Sequence, residues 1–361
     1  MSVSIGIVGL PNVGKSTLFN ALTDSSILAA NYPFATIEPN TGIVAVPDER
    51  LGELAKLYGS QKIIPSTVTF VDIAGLVEGA SKGEGLGNQF LSHIRTCNAI
   101  VQVVRVFEDS DVLRSDSSKD PLHDIDVINT ELVLADLQTV DKRLPKVDKE
   151  ARGNPKLAPQ LALLQKVKAM LDDDKPIFSD SDLLAQVNED FYDLHLLTAK
   201  PIIYLFNVDE ATLTDTAKQK KLEALVGHSQ ALFVNAKLED ELRSLDGDDR
   251  TEMLQSYGVQ ESGLVKLIHA AFATLGLQSY LTAGEKEIRS WTIAQGATAP
   301  QAAGAIHGDF EKGFIAAQIF DYNDLIAAGS EQAAKAAGKL RTEGKTYVMQ
   351  QNDVVEFRFN V

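Results

Sequence analysis

The hydrophobic positions in about the first 200 residues form short apolar runs that alternate with segments of helical spacing. An alternation of this kind predicts a parallel β-sheet covered by α-helices. A buried strand is expected over residues 5–8, followed by a helix over residues 15–22. Further strands are predicted over residues 67–72, 99–106, 202–206 and 231–234. The first part of the chain is therefore expected to have an α/β fold.

Two apolar stripes at helical spacing interrupt the alternation of strands and helices between the third and fourth predicted strands. The first stripe consists of Val133, Leu137, Val140 and Leu144, and the second consists of Leu157, Leu161, Leu164 and Leu171. A Gly-Asn-Pro turn signal at residues 153–155 separates them. The stripes predict two antiparallel helices packed as a short coiled-coil arm, because a crossover between neighbouring strands needs only one helix. Two ordinary helices that lie on the main core are the alternative.

The pattern changes again after about residue 276, where short apolar runs dominate. Strands are predicted over residues 292–295, 314–320, 347–350 and 354–361, with helices over residues 299–306 and near residues 331–339. A strand-rich stretch with one principal helix predicts a small α+β domain.

Composition supports more than one folded core and restricts the chemistry. The chain has 361 residues, of which 44% are hydrophobic and 23% are charged, as expected for a globular protein of two or three domains. Cys97 is the single cysteine. It excludes an internal disulfide and a cysteine-based metal site, and it fits a reducing compartment.

Charge and hydropathy restrict the partners. The formal net charge of −16 disfavours broad affinity for nucleic acid, including DNA, although a local basic face is compatible with an acidic total. The chain begins without a basic segment ahead of its first apolar run, and no stretch of about 18 apolar residues occurs. We therefore expect a cytoplasmic protein without a membrane-spanning segment. A monomer is also expected, although no feature of the sequence decides the oligomeric state.

Residues 9–16 read Gly-Leu-Pro-Asn-Val-Gly-Lys-Ser and match the P-loop pattern G-x-x-x-x-G-K-[ST] between an apolar strand and an amphipathic helix. The glycines permit a tight turn whose backbone N–H groups point at phosphate oxygens. The lysine places a positive charge at the β- and γ-phosphates, the serine offers an oxygen to Mg²⁺, and the helix N-terminus faces the same anion. The expected nucleotide-binding residues here are Gly9, Asn12, Val13, Gly14, Lys15, Ser16 and Thr17, of which Lys15 is also catalytic. A glycine-rich turn without a ligand is the alternative.

Asp72 ends the second predicted strand and begins an Asp-Ile-Ala-Gly motif. An aspartate at this strand end can hold Mg²⁺ through water, and the N–H of Gly75 can contact the γ-phosphate, which gives Gly75 a catalytic role. Thr36 is the candidate switch threonine, which completes magnesium coordination only when the γ-phosphate is present. Ser16, Thr36 and Asp72 are thus the predicted Mg²⁺ ligands. A plain surface turn and a solvated loop threonine are the alternatives.

Residues 207–210 read Asn-Val-Asp-Glu after the fourth predicted strand, where a GTPase carries N-K-x-D. The acidic position is the longer Glu210 and the lysine position is Val208, whereas Asn207 can still bond N7 and the exocyclic amine of adenine. Replacing one bidentate pair changes the preference by about 1–3 kcal/mol, which is enough to reverse the choice of base. The motif therefore predicts ATP over GTP, with backbone contacts from Ala236 to the base. The alternative is that Glu210 still reaches guanine.

Leu76 follows the Asp-Ile-Ala-Gly motif at the position where many GTPases carry a water-orienting glutamine. A leucine cannot orient water, so we expect slow intrinsic hydrolysis or a catalytic group from elsewhere. Asn12 can help to hold K⁺ beside the phosphates, although an asparagine in a tight turn needs no further explanation.

Together these motifs resemble the YchF (Obg-like ATPase) family over nearly the whole chain. The segments that resemble the family's nucleotide site are residues 9–16, 31–34, 36–40, 72–77, 83–90 and 207–210. The start of its helical arm is resembled by residues 128–132. The segments that resemble its C-terminal TGS domain, a ubiquitin-like β-grasp, are residues 282–291, 299–303, 309–314 and 357–361.

The resemblance implies three domains. These are a P-loop NTPase (GTPase-like) domain over residues 1–120 and 200–277, an inserted antiparallel coiled-coil arm over residues 121–199, and a TGS-like β-grasp domain over residues 278–361. It also implies ATP hydrolysis in preference to GTP hydrolysis, potassium-stimulated turnover, and association with ribosomes or their RNA.

Two positions depart from the family pattern. Ala35 stands where the family often has cysteine, and Arg114 stands where it often has a histidine proposed to act in hydrolysis. An arginine can stabilise phosphate charge but is a poor base, which leaves the water-activating group open. The alternatives to an ATPase switch are an Obg-type GTPase and a ribosome- or RNA-binding adaptor whose nucleotide is structural.

Overall fold

The computed structural model describes residues 3–24, 40–73, 86–108, 120–245 and 247–360. The predicted site residues Thr36 and Gly75, as well as Leu76 and Arg114, lie outside the described residues. The described strands are β1 (Ser4–Gly9), β2 (Thr41–Ala45), β3 (Ile63–Ile64), β4 (Thr67–Asp72), β5 (Ala99–Arg105), β6 (Ile202–Asn207), β7 (Gln230–Val234), β8 (Leu277–Ala283), β9 (Ile288–Ala294), β10 (Phe314–Asp321), β11 (Arg341–Glu343) and β12 (Asp353–Phe359). The described helices are α1 (Lys15–Asp24), α2 (Glu49–Tyr58), α3 (Leu86–Thr96), α4 (Pro121–Gly153), α5 (Ala158–Asp172), α6 (Ser181–Asp190), α7 (Glu210–Thr214), α8 (Thr216–Leu225), α9 (Ala236–Leu242), α10 (Gly247–Ser256), α11 (Gly263–Thr274), α12 (Ala299–Ile306), α13 (Gly308–Lys312), α14 (Tyr322–Ala328) and α15 (Glu331–Ala336).

A mostly parallel sheet carries the N-terminal part of the fold. Its strand order is β2-β4-β1-β5-β6-β7, and β1 pairs in parallel with both β4 and β5, β5 with β6, and β6 with β7. Every residue of β5 and β6 is buried, as expected for parallel strands covered on both faces. The five strands predicted for this sheet are present with bounds within one residue of the predicted ones, and the predicted α/β fold is confirmed. The loops that follow the parallel strands therefore meet at one edge of the sheet.

The chain folds into two compact units. The first unit comprises Met1–Ile43 and Thr69–Leu267, and the second comprises Val44–Val68 and Ile268–Val361. Residues 44–68 thus leave the first unit, although they precede most of its sheet in sequence. The division into three domains stays a prediction.

Helices α4 and α5 form a packed pair within the first unit. Thr130 near the start of α4 donates to Asp174 just after α5, so the helices run antiparallel. The predicted stripes meet in one apolar cluster, with Val133, Val140 and Leu164 fully buried. All members of this cluster come from residues 133–199, so this part of the helix pair packs on its own core and not on the sheet. The antiparallel pair is confirmed, and its coiled-coil geometry stays a prediction.

The second unit contains a six-stranded sheet of order β11-β10-β12-β8-β9-β3. Neighbouring residues Val354 and Val355 on β12 belong to different apolar clusters, so both faces of this sheet are covered. Helix α12 packs on one face, whereas α2 and α14 pack on the other, with Leu54 and Leu325 fully buried. Helix α2 therefore belongs here because its apolar side has its partners in this unit.

One predicted strand of the second unit is wrong. Residues 347–350 contribute only an isolated antiparallel bridge between Thr298 and Val348. Met349 is buried and the backbone N–H of Met349 donates to Ala297, so the segment packs as an irregular connection. Elsewhere, none of the described helices combines the length and the apolar character needed to cross a membrane.

Candidate functional site

The loop between β1 and α1 has the backbone conformation of a phosphate-binding turn. Asn12 and Gly14 both have positive φ angles, of 63° and 91°. A Cβ atom on Gly14 would lie 2.3 Å from Nδ2 of Asn207, so both the conformation and the space at this position require glycine. At Gly9 a Cβ atom would lie 2.9 Å from the carbonyl oxygen of Val103. The loop is thus packed tightly against the strands behind it.

Asn207 at the end of β6 links the P-loop to the loop before α9. Its side chain is 2% exposed, and Nδ2 donates to the carbonyl oxygen of Val13 at 2.9 Å. Its Oδ1 accepts from the backbone N–H of Ala236 at 3.1 Å. A side-chain amide has two donor hydrogens and two acceptor lone pairs, so one of each stays free to contact a base. Ala236, in contrast, has its N–H group committed to Asn207.

Lys15 and Asp72, predicted to bind phosphate and Mg²⁺, lie together at the carboxyl edge of the sheet. The Nζ atom of Lys15 contacts Oδ1 of Asp72, and both side chains are largely buried. Ser16 and Thr17, the next residues of α1, are exposed. The backbone N–H of Asp72 donates to the carbonyl oxygen of Asn40 at 2.8 Å, which fixes the end of β4. The predicted lysine and carboxylate groups are therefore adjacent, and Ser16 follows Lys15 directly in α1.

A cavity of about 1150 Å³ contains most of the predicted site residues. This volume exceeds the roughly 300–1,000 Å³ of typical small-molecule pockets. Gly9 and Val13 do not line it, so these two residues act through the backbone of the loop. The lining residues are Leu10, Pro11, Asn12, Gly14, Lys15, Ser16, Thr17, Asp72, Phe107, Glu108, Asn207, Val208, Asp209, Glu210, Ala211, Asn235, Ala236, Lys237 and Asp240.

The acidic residues after β6 have different environments. Asp209 caps α7, since its Oδ1 accepts from the backbone N–H of Thr212 at 2.9 Å and from its hydroxyl at 2.6 Å, and these bonds lower the pKa of Asp209. Glu210 is exposed at the first position of α7. Burial, followed by the charges of Glu210 and Glu241, raises the pKa of Tyr257, which places Glu210 near that hydroxyl. Val208 is 1% exposed.

Two residues of the site were missed by the sequence analysis. Arg105 at the end of β5 is 3% exposed, and its Nη1 donates to the carbonyl oxygen of Asn12 at 3.3 Å. Its guanidinium carbon lies 4.3 Å from the ring centroid of Phe107, which lines the cavity. The sequence signal for Arg105 is an arginine at the end of a strand that is apolar except for Gln102, where a charge is unusual unless it has partners.

The donor set suits Mg²⁺ better than a transition metal. Ser16 offers a hydroxyl oxygen and Asp72 a carboxylate oxygen, and Mg²⁺ is usually bound by one or two carboxylates together with substrate phosphates and water. Among the described ranges there is no group of three or more His, Cys, Asp or Glu side chains that could hold a metal without such a substrate. Ser16 and Asp72 therefore offer the types of oxygen donor that Mg²⁺ takes beside a triphosphate.

Two family models match the chain. A model described as "50S ribosome-binding GTPase" matches residues 4–145. The C-terminal model of the YchF GTPase, described as "Protein of unknown function (DUF933)", matches residues 277–360. The first match contains the P-loop and Asp72, and the second contains nearly all of the C-terminal strands.

Full-length relatives agree with these matches. The ribosome-binding ATPase YchF of Bacillus subtilis is 48% identical, with 100% of both chains covered. The Obg-like ATPase 1 of Rattus norvegicus is 43% identical, with 99% of this chain and 93% of the relative covered. The solved structure of the Schizosaccharomyces pombe YchF GTPase is 39% identical and superposes with a TM-score of 0.87, covering 99% of this chain and 98% of that one. The chain therefore belongs to the YchF family.

Proposed function

We propose that this protein is an ATP-binding and ATP-hydrolysing switch that associates with the ribosome. The observation that carries the proposal is one cavity that is lined both by Lys15, Ser16 and Asp72 and by Asn207 and Glu210. Such an arrangement suits a triphosphate tail and its base. Relatives that cover the whole chain are named ribosome-binding ATPases, which supports both the proposed ATP hydrolysis and the proposed association with the ribosome.

The phosphate groups are proposed to bind in the turn between Gly9 and Ser16. Positive φ angles at Asn12 and Gly14 turn the backbone, and backbone N–H groups in such a concave turn attract anions. Lys15, now paired with Asp72, would move its ammonium group onto the β- and γ-phosphates. Thr17 and the N-terminus of α1 add donors and a favourable dipole.

Ser16, Asp72 and Thr36 are the proposed Mg²⁺ ligands, and Gly75 is proposed to contact the γ-phosphate. When bound, Mg²⁺ supplies positive charge that offsets the charge of the phosphate oxygens. Asn12 is one of the residues that line the cavity, which supports a further K⁺ beside the phosphates. Leu76 carries no group that orients water, so slow turnover without a partner is proposed.

The base is proposed to be adenine. Asp209 is engaged as a helix cap, and Glu210 sits at an exposed position near Tyr257. No carboxylate of this motif is thereby dedicated to guanine N1–H and N2–H. Val208 and Phe107 add apolar surface, and the free half of the Asn207 amide can bond the adenine edge.

The ribosome is proposed to contact the distal part of the α4–α5 pair. Residues 142–168 contain eight Lys or Arg residues and two Asp or Glu residues, in a chain whose net charge is −16. Lys142, Lys146 and Lys149 are exposed at spacings of four and three, and therefore lie on one face of α4, with exposed Lys156 just beyond the turn. An unpaired basic stripe in an acidic protein suits ribosomal RNA phosphates. We call these four residues the lysine stripe.

The domain boundaries are proposed as predicted, with an NTPase domain, a helical insertion over residues 121–199 and a TGS-like β-grasp domain over residues 278–361. A cytoplasmic monomer without DNA affinity is the accompanying proposal. Hydrolysis would release the segments around Thr36 and Gly75, and thereby alter the affinity for the ribosome.

Multiple-turnover ATPase and GTPase rates with and without ribosomes test this function. We expect ATP to be hydrolysed faster than GTP, ribosomes to accelerate the reaction, and Lys15→Ala to abolish it. Lys220→Ala, which changes an exposed lysine on α8, is the matched control and should leave turnover unchanged. Faster GTP turnover would favour an Obg-type GTPase. A Lys15→Ala protein that binds ribosomes equally with and without nucleotide would favour an adaptor.

A further inference from the structure

Two side chains from the ends of the neighbouring strands β5 and β6 contact the P-loop. Asn207 donates from Nδ2 to the carbonyl oxygen of Val13 at 2.9 Å, and Arg105 donates from Nη1 to the carbonyl oxygen of Asn12 at 3.3 Å. The two donors are direct partners in the parallel register between β5 and β6. Neighbouring strands thus present adjacent donors to two consecutive peptide groups of the loop.

These bonds determine where the next two amide groups point. A trans peptide places its C=O and its N–H on opposite sides, and the described residues contain no cis peptide bond. A donor that holds the carbonyl oxygen of Asn12 therefore turns the N–H of Val13 to the opposite side. The bond from Asn207 does the same for the N–H of Gly14. We infer that this opposite side is the concave side of the turn, because backbone N–H groups in such a turn form an anion-binding concavity.

Arg105 also connects the loop to the wall of the cavity. Its Nε donates to the carbonyl oxygen of Phe107 at 3.3 Å, while its guanidinium carbon lies 4.3 Å from the centroid of the Phe107 ring. The backbone N–H groups of Val106 and Phe107 donate to the carbonyl oxygen of Asn207. Because the guanidinium is planar and 3% exposed, these contacts hold it in one orientation.

We propose that Arg105 is a positioning residue that holds the Asn12–Val13 peptide of the P-loop in its phosphate-binding orientation. The inference rests on the proposed nucleotide binding and concerns a residue that does not line the cavity itself. Its guanidinium contacts the carbonyl oxygen of Asn12 and is 3% exposed, so solvent screens its positive charge little.

Arg105→Gln tests this role through the affinity of the protein for two ligands, ATP and inorganic triphosphate. A hydrogen bond to a charged group is worth roughly 10- to 100-fold in an equilibrium constant. We expect about a tenfold loss of affinity for both ligands by the same factor, because both use the loop amides. A loss of affinity for ATP alone would show that Arg105 acts on the part of the cavity that holds the base, and it would overturn the proposal. Unchanged affinity for both ligands would also overturn it.

Arg105→Lys separates positioning from charge. A lysine retains the positive charge but replaces only one of the two hydrogen bonds, so we expect recovery of only part of the lost affinity. Full recovery would show that charge alone matters and would refute a positioning role.

Arg95→Gln is the matched control for a purely structural arginine. Arg95 donates to the carbonyl oxygen of His195 and to the hydroxyl of Thr139, away from the cavity. Its loss should lower stability without changing ATP affinity. A wild-type protein that binds neither ligand would refute the nucleotide site itself, whereas wild-type binding with an unaffected Arg105→Gln variant would refute only this inference.

Discussion

Gly14→Ala should destabilise the P-loop, both through its backbone conformation and through a steric conflict. Gly14 has a φ of 91°, and an alanine forced into a left-handed conformation costs about 1–2 kcal/mol. The added Cβ would lie 2.3 Å from Nδ2 of Asn207, so that side chain must move. Moving it breaks its bond to Val13 and leaves a buried carbonyl unsatisfied, which costs about 1–3 kcal/mol more. We expect the free energy of unfolding of Gly14→Ala to be lower than that of the wild type by a total of about 2–5 kcal/mol.

Gly227→Ala is the matched control in the same unit. Gly227 also has a positive φ, of 59°, but a Cβ there would meet no atom within 4 Å. The control therefore carries the conformational cost of about 1–2 kcal/mol without the steric conflict. The difference between the two variants isolates the contact with Asn207.

Urea unfolding and ATP titration together measure the effect. Amide hydrogen exchange in β1 and α1 reports the stability near the loop, and calorimetric titration reports the affinity for ATP. We expect Gly14→Ala to bind ATP at least about tenfold more weakly and Gly227→Ala to bind like the wild type. Equal stability losses in the two variants, or unchanged ATP affinity in Gly14→Ala, would refute the reasoning.

Three further predictions concern other parts of the chain. Asp136 is buried, which raises its pKa to about 6 although Leu197 and Thr198 donate to it. Its folded-state pKa lies above its unfolded value, so the free energy of unfolding should fall as pH rises from about 4 to about 6. Asp136→Asn should make that slope shallower in urea titrations, and an unchanged slope would contradict the assignment. Glu210→Asp combined with Val208→Lys should shift the ratio of ATP to GTP affinity about tenfold towards GTP, measured by competition; a ratio that stays constant would remove these residues from base selection. Substituting the lysine stripe with glutamine should weaken co-sedimentation with ribosomes and reduce the salt dependence of that binding, with basal ATPase activity unchanged. Unchanged co-sedimentation with unchanged salt dependence would place the ribosome contact elsewhere.

The site was predictable from sequence where chemistry requires fixed residue types at fixed spacing. The P-loop pattern predicts the roles of both Gly14 and Lys15, because the turn needs a residue with a positive φ and the phosphate needs a cation. Asp72 followed from its place at the end of a predicted strand. These assignments needed only local sequence.

The contacts of the site were not predictable, because they join residues distant in the chain. Asn207 was assigned to the base, yet its amide also holds the P-loop across 194 positions. Arg105 and Phe107 attracted no assignment, since neither belongs to a motif with fixed spacing. Asp209 was passed over as a variable position, although it caps α7.

The second unit shows the same limit at the level of the fold. Helix α2 has an ordinary amphipathic pattern, and nothing local indicates that its partners lie beyond residue 267. Residues 347–350 have the apolar character of a strand, but only Val348 finds a bridge partner, so packing overrides propensity.

Magnesium-dependent binding of an adenine nucleotide, between the P-loop and the segment that begins at Asn207, is the central property proposed for this protein. Calorimetric titration of the purified protein with ATP and with GTP, each with and without Mg²⁺, measures this. We expect ATP to bind about tenfold more tightly than GTP, and only weakly once Mg²⁺ is removed. Absence of affinity for either nucleotide, or tighter binding of GTP, would contradict the account.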